Sequence, residues 1–122
     1  MIVYIWIAFG SALGGVARYA CQVWGARLIG DTFPWGTLIV NIVGCSIIGF
    51  FAAFAVRAPM RQFVMVGILG GYTTFSSFSL ETLNLARDGQ WVKSAGYVLG
   101  SLVFCLLGVF LGNLVGAAVN EK

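Results

Sequence analysis

Four stretches of this chain carry no charged side chain: residues 1–17, 32–56, 62–80 and 94–120, the last three being 25, 19 and 27 residues long. Roughly 20 residues of helix cross a hydrocarbon core, so each stretch can span one. Lipid offers the backbone no hydrogen-bond partners, and a spanning segment of this kind must therefore be helical. Composition agrees: 60% of residues are apolar and 9% charged, against about 25% charged in a soluble domain. The expected fold is an all-α membrane protein, a single domain over residues 1–122, with spans near 2–24, 35–56, 62–85 and 94–118. The first apolar run continues past Arg18 to Trp24. It lacks the leading positive charge of a signal peptide, so it reads as a retained helix.

The same residues exclude much chemistry. There is no histidine. Cys21, Cys45 and Cys105 lie far apart in apolar surroundings and give no CxxC pair, zinc spacing or disulfide framework. No phosphate-binding GxxxxGK[ST] loop occurs, and the only carboxylates are Asp31, Glu81, Asp88 and Glu121. The chain is not expected to be an enzyme. Its net charge of +3 reports on topology in a membrane protein and implies no nucleic-acid partner.

Lys and Arg fall evenly on the two sides of a four-span chain. Arg57, Arg61 and Lys122 share one side, and Arg27, Arg87 and Lys93 share the other. Equality by chance in a short sequence is one reading, and insertion in both orientations is the other. Four short helices can hardly enclose a conduction path alone, whereas two opposed copies can make the inverted-repeat architecture common among transporters. A homodimer surrounded by lipid is therefore expected.

Several residues do not suit a lipid-facing helix. Gly10 and Gly14, and the row Gly96, Gly100, Gly108, Gly112 and Gly116, form ridges whose ordinary role is close helix packing. Arg18 interrupts an apolar run, at a cost of at least roughly 2.5–3.5 kcal/mol near the bilayer centre, unless it faces a polar cavity or snorkels to the interface. Glu81 falls at the end of the third uncharged segment, toward a water-facing mouth. Residues 70–82 read GGYTTFSSFSLET, two glycines followed by Thr73, Thr74, Ser76, Ser77 and Ser79. This predicts an interrupted third helix whose freed backbone groups suit ions where protein encloses the break; back-bonding that merely bends the helix is the plainer alternative. Phe75 and Phe78, three apart, face one side of the second half and have electropositive ring edges. Asn41 can donate to an anion or bond across helices.

Taken together, GxLGxxxR read loosely over residues 10–18, GTLIVNIVG over 36–44 and GGYTTFSSFSLET over 70–82 resemble the CrcB/Fluc family of fluoride channels, and the likeness covers nearly the whole chain. That resemblance implies an antiparallel, dual-topology homodimer in the bacterial plasma membrane, with two pores that passively export fluoride. It implies pore roles for Phe75, Phe78, Asn41, Tyr97 and Ser101, and matches Arg18 and Glu81 to the family's arginine and acidic residue. Thr37, Ser76, Ser77 and Thr82 are further pore-lining candidates. It also implies a structural Na+ shared between subunits and held by backbone carbonyls of Gly70 and Thr73. Cys105 stands where relatives often have serine, and a thiol is a poor donor.

The physical reading fits an anion path without choosing the anion. Fluoride is small and strongly hydrated, so a pore must replace its water with donors and positive ring edges, which these spans supply. A small proton-coupled multidrug exporter has similar length and layout, but that class needs a carboxylate in the first helix, where this chain has Arg18. A non-transporting assembly subunit is the other alternative.

Overall fold

Proline and glycine set the helix ends. The computed structural model covers all of residues 1–122 and is entirely helical apart from its connections. Helix α1 is Ile2–Ile29, and Gly30, at φ 114°, turns the chain after it. Pro34 precedes α2, Trp35–Ala52. The third span enters at Pro59, in the first turn of α3 (residues 58–72), where a missing N–H costs nothing. Thr73 and Thr74 are extended, and α4, Phe75–Arg87, completes the crossing. Gly89, at φ 75°, ends α4: its N–H bonds to Ala86 O at 3.1 Å and that of Gln90 to Leu85 O at 2.9 Å, the paired pattern of a Schellman stop. Helix α5 is Trp91–Asn120. Four segments, Ile2–Ile29, Trp35–Ala52, Ala58–Arg87 and Trp91–Asn120, are long and apolar enough to cross a membrane.

Helix ends differ from the apolar boundaries by a few residues. Helix α1 continues beyond Trp24 and carries Arg27 in its last turn, where a cation meets the negative end of the helix dipole. Helix α2 stops at Ala52, short of residue 56, and α5 starts at Trp91, before residue 94. Charge marks where lipid ends; backbone hydrogen bonding decides where the helix ends.

Glycines fix which helices touch. A Cβ on Gly10 would lie 2.5 Å from Phe63 O and 2.9 Å from the Gly67 Cα, and one on Gly71 would lie 2.7 Å from Ser11 O. Helices α1 and α3 thus meet backbone to backbone, and the α3 residues involved include a π-helical stretch, Gln62–Leu69. In the second pair, Gly108 meets Ser46 Oγ, Gly112 meets Ser46 O and Gly116 meets Phe50 O, so α2 and α5 run parallel in close contact. Gly36 joins the pairs by packing on Gln22. Without a hydrophobic drive between helices in lipid, such close approach supplies the packing. The row expected along α5 is divided. Nothing lies within 4 Å of a Cβ at Gly96, and only a Phe104 ring carbon, at 4.0 Å, approaches one at Gly100.

Candidate functional site: a groove at the helix break

The interruption at Thr73–Thr74 is held open by Asn41. Its Nδ2 donates to Thr74 O at 3.1 Å, and its Oδ1 accepts from Thr74 N–H at 2.8 Å. One carboxamide on α2 thereby replaces both hydrogen bonds that an unbroken helix would give Thr74. Thr74 then caps α4, its Oγ1 accepting from Ser77 N–H at 3.1 Å, which satisfies one orphan donor of the new helix start. Thr73 stays with α3: its N–H and its hydroxyl each donate to Leu69 O at 3.0 Å. With Thr74 N–H given to Asn41 and Ser77 N–H to Thr74 Oγ1, the carbonyls of Gly70 and Thr73 receive no backbone hydrogen bond.

Two cavities flank the break. The first, of about 350 Å³, is lined by Asn41, Gly70, Thr73, Phe75, Phe78 and Ser101, among others, including Cys45 and Cys105. Phe78 is 8% exposed while Phe75 is 76% exposed in the single chain. Their centroids are 5.4 Å apart, so both rings share one side of α4 although only one is covered. Ser101 is 6% exposed and its Oγ has no hydrogen-bond partner, an orphan costing about 1–3 kcal/mol unless something occupies the groove. Phe78 packs on Tyr97 at 5.1 Å between centroids.

Beyond Tyr97 lies the second cavity, about 590 Å³, whose lining includes Gln22, Asp31, Thr37, Ser77, Glu81 and Asp88. A chain of hydrogen bonds crosses its inner end. Gln22 Nε2 donates to Thr37 Oγ1 at 3.0 Å, Thr37 donates to Glu81 Oε1 at 2.7 Å, and Tyr97 OH donates to Glu81 Oε2 at 2.8 Å. Both carboxylate oxygens are thus held by hydroxyl donors from α2 and α5. The remaining hydroxyls are partly engaged. Ser76 Oγ is 3.3 Å from Thr74 Oγ1, Thr82 donates to Phe78 O at 2.7 Å, and Ser94 donates to Thr82 O at 3.0 Å.

The structure therefore gathers Asn41, Phe75, Phe78, Ser101, Gly70 and Thr73 around one cavity and Thr37, Ser77 and Glu81 around the other, with Tyr97 between. Arg18 joins neither cavity and takes no part in this hydrogen-bonded chain; it is half-buried on α1. Gln22 escaped sequence reasoning. Its signal was an uncharged amide, four residues beyond Arg18, in a run otherwise apolar.

Four apolar crossings, one of them opened in mid-span beside a groove lined by hydroxyls, a carboxamide and two phenyl rings, define a polytopic membrane protein with a polar groove at its core. The model of the family described as "CrcB-like protein, Camphor Resistance (CrcB)" matches residues 5–113. The chain is 54% identical to a fluoride-specific ion channel of Opitutus terrae, over 99% of this chain and 97% of that protein. It is 48% identical to proteins of the same name from Methylocella silvestris, over 97% and 95% of the two chains, and from Rhodospirillum rubrum, over 97% of each. This chain belongs to the CrcB family, a family of ion channels and not of enzymes, and is a multi-pass bacterial membrane protein.

Proposed function

We infer that this chain is a fluoride channel and propose that it works as an antiparallel homodimer in which two copies, inserted in opposite orientations, close two paths for passive fluoride export. The relatives' name supplies the ion. The observation that carries the site is the convergence of Asn41, Phe75, Phe78 and the unpartnered Ser101 hydroxyl on one groove at a helix break. An anion entering at the Glu81 end meets Ser77 and Thr37, passes Tyr97, and reaches the groove lined by Ser101, Phe75 and Phe78. The Ser77 and Ser101 hydroxyls and the electropositive ring edges replace its water, while the Thr37 and Tyr97 protons are held by Glu81 and shape the passage without donating to the ion. Phe75 is largely uncovered by its own chain, so the path is one-sided until a second copy covers it.

The sodium assignment fits the chemistry of the break. Gly70 and Thr73 present carbonyl oxygens relieved of backbone partners, the hard oxygen ligands that such a cation takes. The opposed copy would contribute the same two carbonyls, making a site of four oxygens. A bound cation would supply fixed positive charge near the dimer centre. The chain's own part is done by Asn41, which keeps Thr74 N–H from closing the helix over Gly70.

Purified protein in liposomes tests the reading. A fluoride electrode with a potassium ionophore present should report electrogenic fluoride efflux, with chloride efflux at background. Equal chloride efflux removes the selectivity; silent vesicles support the assembly-subunit alternative.

A further inference from the structure

Two of the three cysteines, set apart by 60 residues in sequence, meet in the fold. Gly49 of α2 sits against the backbone of Val109 of α5, a Cβ there falling 2.9 Å from the Val109 Cα. The two helices run parallel, so one turn back along each brings Cys45 beside Cys105. Both are half-buried and both line the 350 Å³ groove. Ser101, one turn further back on α5, and Phe75 and Phe78 line the same groove. Cys21 is elsewhere: it is exposed, and its Sγ accepts from Tyr72 OH at 3.5 Å.

We propose that Cys45 and Cys105 form a two-thiol site for soft, thiophilic cations of the mercury(II), silver(I) and copper(I) class, and that filling it blocks the fluoride path. The blocking half rests on the channel reading above. Sulfur ligands select soft ions. Two thiols suit linear two-coordination, whereas zinc would need about four ligands and no group of three His, Cys, Asp or Glu is present. With mercuric chloride each thiol loses its proton as its sulfur–mercury bond forms; two chlorides leave, and no electron is transferred. The bis-thiolate is neutral, so it acts by occupying space beside Ser101 and pinning α2 to α5.

The test uses mercuric chloride on the full-length protein. In detergent, mercury–thiolate absorbance should saturate at one mercury per chain in Cys21→Ser and take up one further, single-thiolate equivalent at the exposed Cys21 in the wild type, with a bis-thiolate spectrum that Cys45→Ala and Cys105→Ser each lose. In vesicles, one equivalent should cut fluoride flux at least tenfold in wild type and Cys21→Ser, with recovery in dithiothreitol. The double variant Cys45→Ala/Cys105→Ser, compared with its own untreated rate, should keep most of its flux, because either single variant leaves a thiol that can still hold one S–Hg–Cl adduct in the groove. A bis-thiolate spectrum surviving in Cys105→Ser, or lost in Cys21→Ser, overturns the site. A filled site with unchanged flux overturns the block. Vesicles with no fluoride flux before mercury count against the channel reading, and the absorbance titration still decides the thiol pair.

Discussion

Phe75 and Phe78 have the same side chain on the same side of α4 and hold different positions. Phe78 is covered by its own chain and packs on both Phe75 and Tyr97, so Phe78→Ile loses aromatic contacts worth about 0.5–1.5 kcal/mol per pair as well as its ring edge. Phe75, 76% exposed in the single chain, loses one such pair and its edge. Phe75→Ile should lower fluoride flux at least tenfold while gel-filtration position holds and detergent melting falls by less than in Phe78→Ile. Phe78→Ile should lower both flux and melting temperature. Undiminished flux in Phe75→Ile would return that ring to packing. Glu81 shows why residue roles are hard to read from sequence. Its place near a mouth follows from the end of an uncharged run, whereas its two hydroxyl donors, Thr37 and Tyr97, come from positions 44 and 16 residues away, and no local pattern pairs them.

The break in the third span is the element on which the site depends. Two glycines and a run of hydroxyls announce it in the sequence, but the carboxamide that fixes it belongs to another helix. Asn41→Asp replaces the Nδ2 donor with a carboxylate oxygen facing Thr74 O, at about 1–3 kcal/mol for the unsatisfied carbonyl, and adds negative charge beside the groove. Flux should fall to background with a lowered melting temperature in detergent; normal throughput with wild-type stability would show that neither the clamp nor the path needs the amide. Some hydroxyls of the same stretch do what the plainer sequence reading allowed. Thr73, Ser79 and Thr82 bond back to Leu69 O, Phe75 O and Phe78 O, four residues earlier, while the Thr74 hydroxyl caps the helix that restarts at the break. One composition therefore yields two behaviours, divided by where Asn41 reaches.

At the scale of the whole molecule, the single chain leaves apolar surface and backbone oxygens that the proposed dimer would cover. Phe75 and much of the α5 face around Gly96 and Gly100 are uncovered by the rest of the chain, and the carbonyls of Gly70 and Thr73 receive no backbone hydrogen bond. Exhaustive replacement of sodium by a large organic cation should reduce flux severalfold and weaken the dimer on gel filtration, with recovery when sodium returns. Indifference to the exchange would show that the two carbonyls hold no metal. Both helix pairs were legible only in part. The small residues of α1 and α5 mark close contact, yet nothing in the row from Gly96 to Gly116 says that its last three members meet α2 while the first two meet nothing in this chain.

The sequence by itself determined that the chain crosses a membrane four times as helices, since lipid leaves an unpaired backbone no alternative and charge confines the apolar runs. It also located the flaw in the third crossing, because glycines and hydroxyls weaken a helix through local preferences that need no partner. Only the tertiary structure decided that Asn41 fixes the flaw, that Thr37 and Tyr97 reach Glu81 while Gln22 reaches Thr37, and that Cys45 and Cys105 line one groove. Those are contacts between helices, set by which backbones the glycines allow to touch, and periodicity along one helix carries no information about its register on another.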